Sequence, residues 1–283
     1  MSTSEPRAPF GARLRSAVAD RGNLCVGIDP HPALLEAWGL SVDPAGVAEF
    51  SKRAMTAFGD LVPAIKPQVA FFEEHGSAGI SLLEDLLVEI TSSGALSVAD
   101  AKRGDIGSTM AAYARAWLSE GSPLACDALT VSPYLGVGAL DPAFDAAEST
   151  GRGLFVLART SNPEAGRLQG SVGDDGTVAQ SVVDEVGRRN RTSFGRGGGS
   201  FGVVVGATVA DPPELDGLHG PVLMPGVGEQ GGSLDDVRRI AGSVLPRTLV
   251  NVSRHVLRAG PDVDSMRNVV VDLNRQYRFD NAT

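Results

Sequence analysis

Eight short runs of apolar residues recur along the chain: LCVGIDP from Leu24, LVPAIKPQ from Leu61, ALSVADAK from Ala95, CDALTVSP from Cys126, GLFVLARTS from Gly153, FGVVVGAT from Phe201, PVLMPGVG from Pro221 and TLVNVSRH from Thr248. Each is almost continuous in apolar positions, as a strand buried on both faces must be, so the sheet is expected to be parallel and covered by helices. Between runs, residues 82–92, 106–119, 178–189 and 234–243 carry the three-to-four-residue apolar spacing of amphipathic helices. Strands alternating with helices in this way predict an α/β protein, a (β/α)8 TIM barrel forming one domain over residues 1–283. A doubly wound open sheet is the competing architecture. It usually has a glycine-rich turn after its first strand, whereas the first run here ends in Asp29-Pro30-His31. The least regular stretch, residues 162–200, has GSVGDDG before its helical pattern and RTSFGRGGGS after it. With too few apolar residues for a core of its own, it is expected to be a flexible surface excursion of the same domain.

Polar residues collect at the C-terminal ends of the runs, where barrel enzymes keep their active sites: Asp29, Lys66, Asp100 with Lys102, Ser132, Thr160 with Ser161, Thr208, and Ser253 with Arg254. Packing alone does not explain that placement. The 283 residues, 42% hydrophobic and 21% charged, fit one large barrel-type domain or two small domains around an ordinary packed core. The 35 glycines and 17 prolines fall between the apolar runs, as turn residues do. A net charge of −9 makes the surface unfavourable to nucleic acid and anionic membrane, so any basic site must be local. The two cysteines, Cys25 and Cys126, lie in apolar runs without disulfide-framework or zinc-ligand spacing and read as buried free thiols. The opening stretch MSTSEPRAPF lacks the apolar core of a signal peptide, and no apolar run approaches the roughly 18 residues of a membrane span. A cytoplasmic protein is expected.

The most informative segment is SVADAKRGDIGSTMAAYARAWL from Ser97. Asp100 and Lys102, two apart at a strand end, project from the same face into the barrel mouth, and Asp105 opens the following helix. The structural reading is an ion pair and a helix N-cap. Lys66, ending the preceding strand, changes the picture, because neighbouring strands would gather Lys66, Asp100 and Lys102 into one partly dehydrated cluster. A lysine held between carboxylates stays protonated and can deliver a proton, while an anionic substrate set against a carboxylate is destabilised in its ground state. The four histidines show no paired metal-ligand spacing and read as solvated or structural.

With Lys66 before it, Asp100-x-Lys102-x-x-Asp105-Ile106 resembles the signature of the orotidine 5′-monophosphate decarboxylase family. GIDPH around Asp29, IKPQ around Lys66, TVSPYLG around Ser132, TSNP around Asn162, PGVGEQGG from Pro225 and NVSRH around Arg254 follow in family order. As a set they resemble the bacterial branch with longer loops. The resemblance implies conversion of orotidylate to UMP and carbon dioxide without metal or cofactor. Lys102 would protonate pyrimidine C6 within a network of Lys66, Asp100, Lys102 and Asp105, and Asp29 with Lys66 would also address the ribose. It further implies a homodimer with shared active sites, in which Asp105, Ile106 and Thr109 reach the neighbouring subunit's site.

Phosphate is expected at the last two strand–helix loops, a recurrent arrangement in barrels. Here these hold Gly226, Gly228 and Gln230 in PGVGEQGG, with Arg254 after the last strand. Family correspondence puts Gln230 and Arg254 on the phosphate and Ser132 on the pyrimidine, with the Gln230 loop as the lid. Thr160, Ser161 and Asn162 either line the same cavity or form an ordinary capped turn. Magnesium-dependent sugar-phosphate enzymes of the same superfamily share an Asp-x-Lys-x-x-Asp core. They place an acidic metal ligand near the end of the second strand, where this chain has Lys66-Pro67-Gln68.

Overall fold

A computed structural model of the chain describes residues 7–174, 176–195, 198–229 and 231–279. The eight apolar runs form the strands β1 (Leu24–Ile28), β2 (Ala64–Pro67), β3 (Leu96–Arg103), β4 (Ala128–Val131), β5 (Gly153–Arg159), β6 (Phe201–Val205), β7 (Val222–Pro225) and β8 (Thr248–Val252). All pair in parallel with their sequence neighbours, and β1 pairs with β8, Leu24 opposite Val250, to close the barrel. The expected TIM barrel is therefore the fold.

The four expected helices are present with shifted ends, as Gly76–Ser92, Gly107–Leu118, Val178–Phe194 and Leu234–Ala241. Others lie where no helix was expected, among them Phe10–Arg21, Pro44–Phe58 and Val263–Gln276. Pro44–Phe58 starts cleanly because Asp43 accepts the Gly46 N–H and Pro44 fills the first turn. Its stripe of Val47, Phe50, Ala54 and Phe58 is buried against the barrel. Within residues 162–195 lie a short helix, Ala165–Gln169, and an exposed hairpin pairing Val172 with Thr177. The long helix Val178–Phe194 completes the segment, burying Val182, Val183 and Val186 and packing on β5 and β6. Gly197, in the glycine-rich stretch, lies outside the described residues.

Strand geometry sends alternate side chains to opposite faces, and this sets the vertical order of the barrel interior. Cys25, Ala64, Leu96, Val98, Ala128, Phe155, Val204, Leu223 and Leu249 fill its lower part. Two residues further along several strands stand Gly27, Lys66, Asp100, Thr130, Pro225 and Asn251. Apolar packing thus gives way to polar groups in one step, and the site rests on a dry floor. Burial raises the Cys25 thiol to about 12, so it stays protonated, and Cys126 is likewise buried and free.

The N-terminal helix Phe10–Arg21 plugs the opposite end. Phe10 and Leu14 join the interior cluster, and the Phe10 ring meets Phe155 edge-on at 6.0 Å between centroids. Gly153 has to be glycine here, because a Cβ would lie 2.3 Å from the Phe10 ring. Arg13 fastens the plug to Asp127 at 2.5 Å and to the Gly151 carbonyl at 3.0 Å. Asp127 in turn accepts the Ser97 N–H at 2.9 Å. Replacing Phe10 with alanine should empty the plug and lower the unfolding free energy by about 3–5 kcal/mol, read from urea unfolding followed by circular dichroism.

Candidate active site

The polar end of the barrel holds a cleft of about 480 Å³ lined by Asp29, Lys66, Asp100, Glu229, Asn251 and Arg254 among others. It continues into a second lobe of about 230 Å³ that adds Lys102, Thr160, Ser161 and Asn162.

Asp100 is the centre. Its Oδ2 pairs with Lys66 Nζ at 3.1 Å and its Oδ1 with Lys102 Nζ at 2.6 Å, while Lys66 also stands 3.9 Å from Asp29. Burial alone would raise the Asp100 carboxyl, but the Lys66 and Lys102 ammonium groups hold it well below the usual carboxylate range. Burial would likewise lower Lys66, yet the Asp100 and Asp29 carboxylates outweigh it and hold the amine above the usual lysine range. Both groups are therefore ionised at neutral pH.

The Asp100–Lys102 contact does not come from a straight strand, which would set the two residues about 6.6 Å apart along the chain. The β3–β4 register shifts between Ala99 and Arg103, and Lys102 takes a left-handed backbone with φ 49°. That conformation costs about 1–2 kcal/mol in a residue with a Cβ. Thr130 on β4 supports it, accepting the Lys102 N–H at 2.9 Å and donating its own hydroxyl to Asp100 Oδ1 at 2.9 Å. Sequence reasoning missed Thr130; its signal was an inward position two residues before Ser132. It also missed Asn251, a buried polar residue within β8, whose amide donates to the Cys25 carbonyl at 3.1 Å. Gln68 was missed as well: its amide oxygen accepts from Lys66 at 3.3 Å.

Gly27 lets the neighbouring strand come close. A Cβ there would lie 1.9 Å from Ser253 Oγ, so glycine admits Ser253 beside Asp29. The buried Asp29 Oδ1 has no hydrogen-bond partner among the described residues and faces Lys66 Nζ at 3.9 Å, while Asp29 lines the cleft.

Asp105 does not cap the helix that follows. Ile106 holds the N-cap position, and Asp105 Oδ1 accepts only the adjacent Ile106 N–H at 2.8 Å, because the extended Ile106 backbone delays the first helical turn to Gly107. Among the described residues Asp105 forms no ion pair with Lys66 or Lys102, while Ile106 and Thr109 are exposed at the start of the helix. Ser132 is half-buried, with its N–H on the Arg103 carbonyl at 2.8 Å, and does not line either lobe.

Gly226 and Gly228 have φ values of 96° and 75°, which turn the loop after β7 back on itself. The N–H groups of Gly228, Gly231 and Gly232 donate within that loop, to Gly232, Gly228 and Gly226 respectively. Gln230 lies outside the described residues. Arg254 projects from the end of β8 with Glu229 Oε1 3.9 Å away, and Glu229 Oε2 pairs with Arg258 at 2.5 Å. His31 packs its ring against Phe71, and His255 lines the cleft wall.

The model of the orotidine 5′-phosphate decarboxylase / HUMPS family matches residues 22–269, a span that contains all eight strands. The chain belongs to that family. An orotidine 5′-phosphate decarboxylase of Corynebacterium efficiens is 53% identical over 270 residues, covering 95% of this chain and 96% of the relative. One from Streptomyces coelicolor is 52% identical over 261 residues, covering 92% and 93%. A Streptomyces avermitilis protein of known crystal structure superimposes with a TM-score of 0.93 at 49% identity, covering 98% and 97%. With relatives matched nearly end to end, this member of the family is an enzyme of the decarboxylase class. No helix among the described residues is long and apolar enough to cross a membrane.

The buried pairing carries a stability consequence. Asp100, with a lowered folded pKa, contributes stability that is present above about pH 4 and lost as pH falls through that lowered value. Lys66, with a raised one, contributes stability that is present below about pH 10 and lost as pH rises through the raised value. Asp100→Asn should therefore lower the unfolding free energy by about 3 kcal/mol at pH 7. In urea titrations across pH the deficit should shrink at the acid extreme.

Proposed function

We propose that the chain decarboxylates orotidine 5′-phosphate to UMP and carbon dioxide, with no metal or cofactor, in cytoplasmic pyrimidine supply. The observation that carries this reading is the alternating Lys66–Asp100–Lys102 chain at the mouth of the barrel. The 53%-identical relative named for the reaction supports it.

The difficulty of the reaction lies in the carbanion left at C6 when the carboxylate departs. Asp100 is held ionised by its two ammonium neighbours, and a substrate carboxylate brought beside it is repelled. That repulsion is relieved as the C6–carboxylate bond breaks and its electron pair stays on C6. The Lys102 ammonium stabilises the growing charge and then gives up its proton to C6; the neutral amine regains a proton from water. Lys66 keeps Asp100 charged and, with Asp29 beside it in the cleft, addresses the ribose hydroxyls. Arg254, just after β8, and Gln230, in the sequence between β7 and β8, take the phosphate, and Ser132 takes the pyrimidine. A single barrel domain over residues 1–283, with residues 162–200 as a surface excursion from it, belongs to the same reading.

A homodimer with shared sites completes the network. Among the described residues Asp105 has no ion-pair partner, and Ile106 is 61% exposed beside it, as residues destined for a neighbouring subunit would be. The partner's site would then receive Asp105, Ile106 and Thr109.

Purified protein treated with EDTA and mixed with orotidine 5′-phosphate should show the ultraviolet change of conversion to UMP. Lys102→Ala should slow that conversion by about 1000-fold or more while still binding UMP; near-normal turnover would remove Lys102 from its role. Activity that appears only with magnesium and a sugar phosphate would point to the metal-dependent branch instead. Mixing Asp105→Ala with Lys102→Ala protein should restore one competent site per mixed dimer, read as recovered turnover, and no recovery despite verified subunit exchange would count against shared sites.

A further inference from the structure

The loop after β7 brings a carboxylate to the cation assigned to phosphate. Glu229 spans two guanidinium groups, with Oε1 3.9 Å from Arg254 and Oε2 2.5 Å from Arg258. The two arginines are four residues apart, one turn along the segment that follows β8. Glu229 and Arg254 both line the cleft, whereas Arg258 stands outside that lining.

Carboxylates and phosphate monoesters use the same guanidinium donors, so Glu229 stands beside Arg254 as an internal anion. A phosphate arriving at Arg254 would meet an ionised carboxylate within a few ångströms, and the two anions would repel. The closer Arg258 offers that carboxylate a second berth. Its far greater proximity means that a small rotation away from Arg254 keeps Glu229 paired.

We infer that Glu229 is a positioning residue: it occupies Arg254 while the site is empty and passes wholly to Arg258 when a phosphate monoester docks. The inference rests on the phosphate role of Arg254 proposed above. It makes phosphate binding an exchange of anions. A ligand without phosphate has nothing to exchange, so Glu229 lowers the affinity for a nucleotide and leaves that for its nucleoside unchanged.

The test is calorimetric titration of the full-length protein with inorganic phosphate, UMP and uridine at fixed ionic strength. All three side chains are partly exposed, so the effect is modest. Glu229→Gln should tighten inorganic phosphate and UMP by about 3- to 5-fold and raise the ratio of UMP to uridine affinity. Glu229→Asp, which keeps the charge, should move affinity back toward the wild-type value. Arg258→Ala should weaken UMP by a similar factor, and that weakening should vanish in the Glu229→Gln background. Unchanged or weaker phosphate binding by Glu229→Gln overturns the inference. An Arg258→Ala loss of equal size in both backgrounds overturns it too, because Arg258 would then touch the phosphate directly. Uridine binding serves as the check that each variant is folded. If orotidine 5′-phosphate is not turned over, the phosphate affinities still decide the exchange; if it is turned over and the affinities do not move, the exchange alone fails.

Discussion

A single buried carboxylate, Asp100, holds the upper half of the barrel in one arrangement. It accepts from Lys66, Lys102 and Thr130 together, and each of those groups comes from a different part of the sheet. A charge taken out of water is tolerated only when its partners are already in place. The registers of β1 to β4 are thereby tied together: Gly27 opposite Lys66, Gln68 bridged to Asp100, and the Lys102 N–H on Thr130. Sliding any one strand by a residue would turn its polar group outward and bring an apolar one into the cluster. Stability and chemistry here draw on the same contacts.

The geometry beneath the cluster explains why its charges are strong. Phe155, Leu223 and Leu249 fill the interior under it, and Phe10 with Leu14 seals the far end. Water reaches the ammonium groups only from the mouth, so their fields act on a ligand through little intervening solvent. The left-handed backbone at Lys102 belongs to this picture. It trades a local conformational penalty for a proton donor aimed from a rigid strand end, supported by a neighbouring strand and not by a loop.

Much of this was legible in the sequence, and the reason is burial. The eight strands stand out because each is covered on both faces and so runs almost unbroken in apolar residues. Lys66, Asp100 and Lys102 stand out because charges at the ends of such runs have no packing rationale. Phe10–Arg21 and Val263–Gln276 were harder to see: each buries only a narrow stripe, Phe10 with Leu14 and Met266 with Val270 and Leu273, among many polar residues. Thr130 was easy to pass over because a threonine in a strand is ordinary, and only the shifted β3–β4 register gives its hydroxyl two partners. The cap at Asp105 was misplaced because a sequence shows which residue can cap, not where the preceding bulge will leave the chain. The link from Glu229 to Arg254 and Arg258 joins two loops across the mouth, a distance that local pattern does not encode.

The closure of the barrel has a temporal side. β1 finds one of its two neighbours in β8, with Leu24 opposite Val250, at nearly the other end of the chain. The helix ahead of β1 docks on Phe155 and on the start of β5. A chain emerging from the ribosome therefore carries its first strand with one bare edge until more than 220 residues have followed it. The helix Phe10–Arg21, which precedes every strand in the sequence, has no place to dock until the middle of the barrel exists. Completion of the fold is in this sense a late event, since the edge of β1 stays open for most of the chain's synthesis.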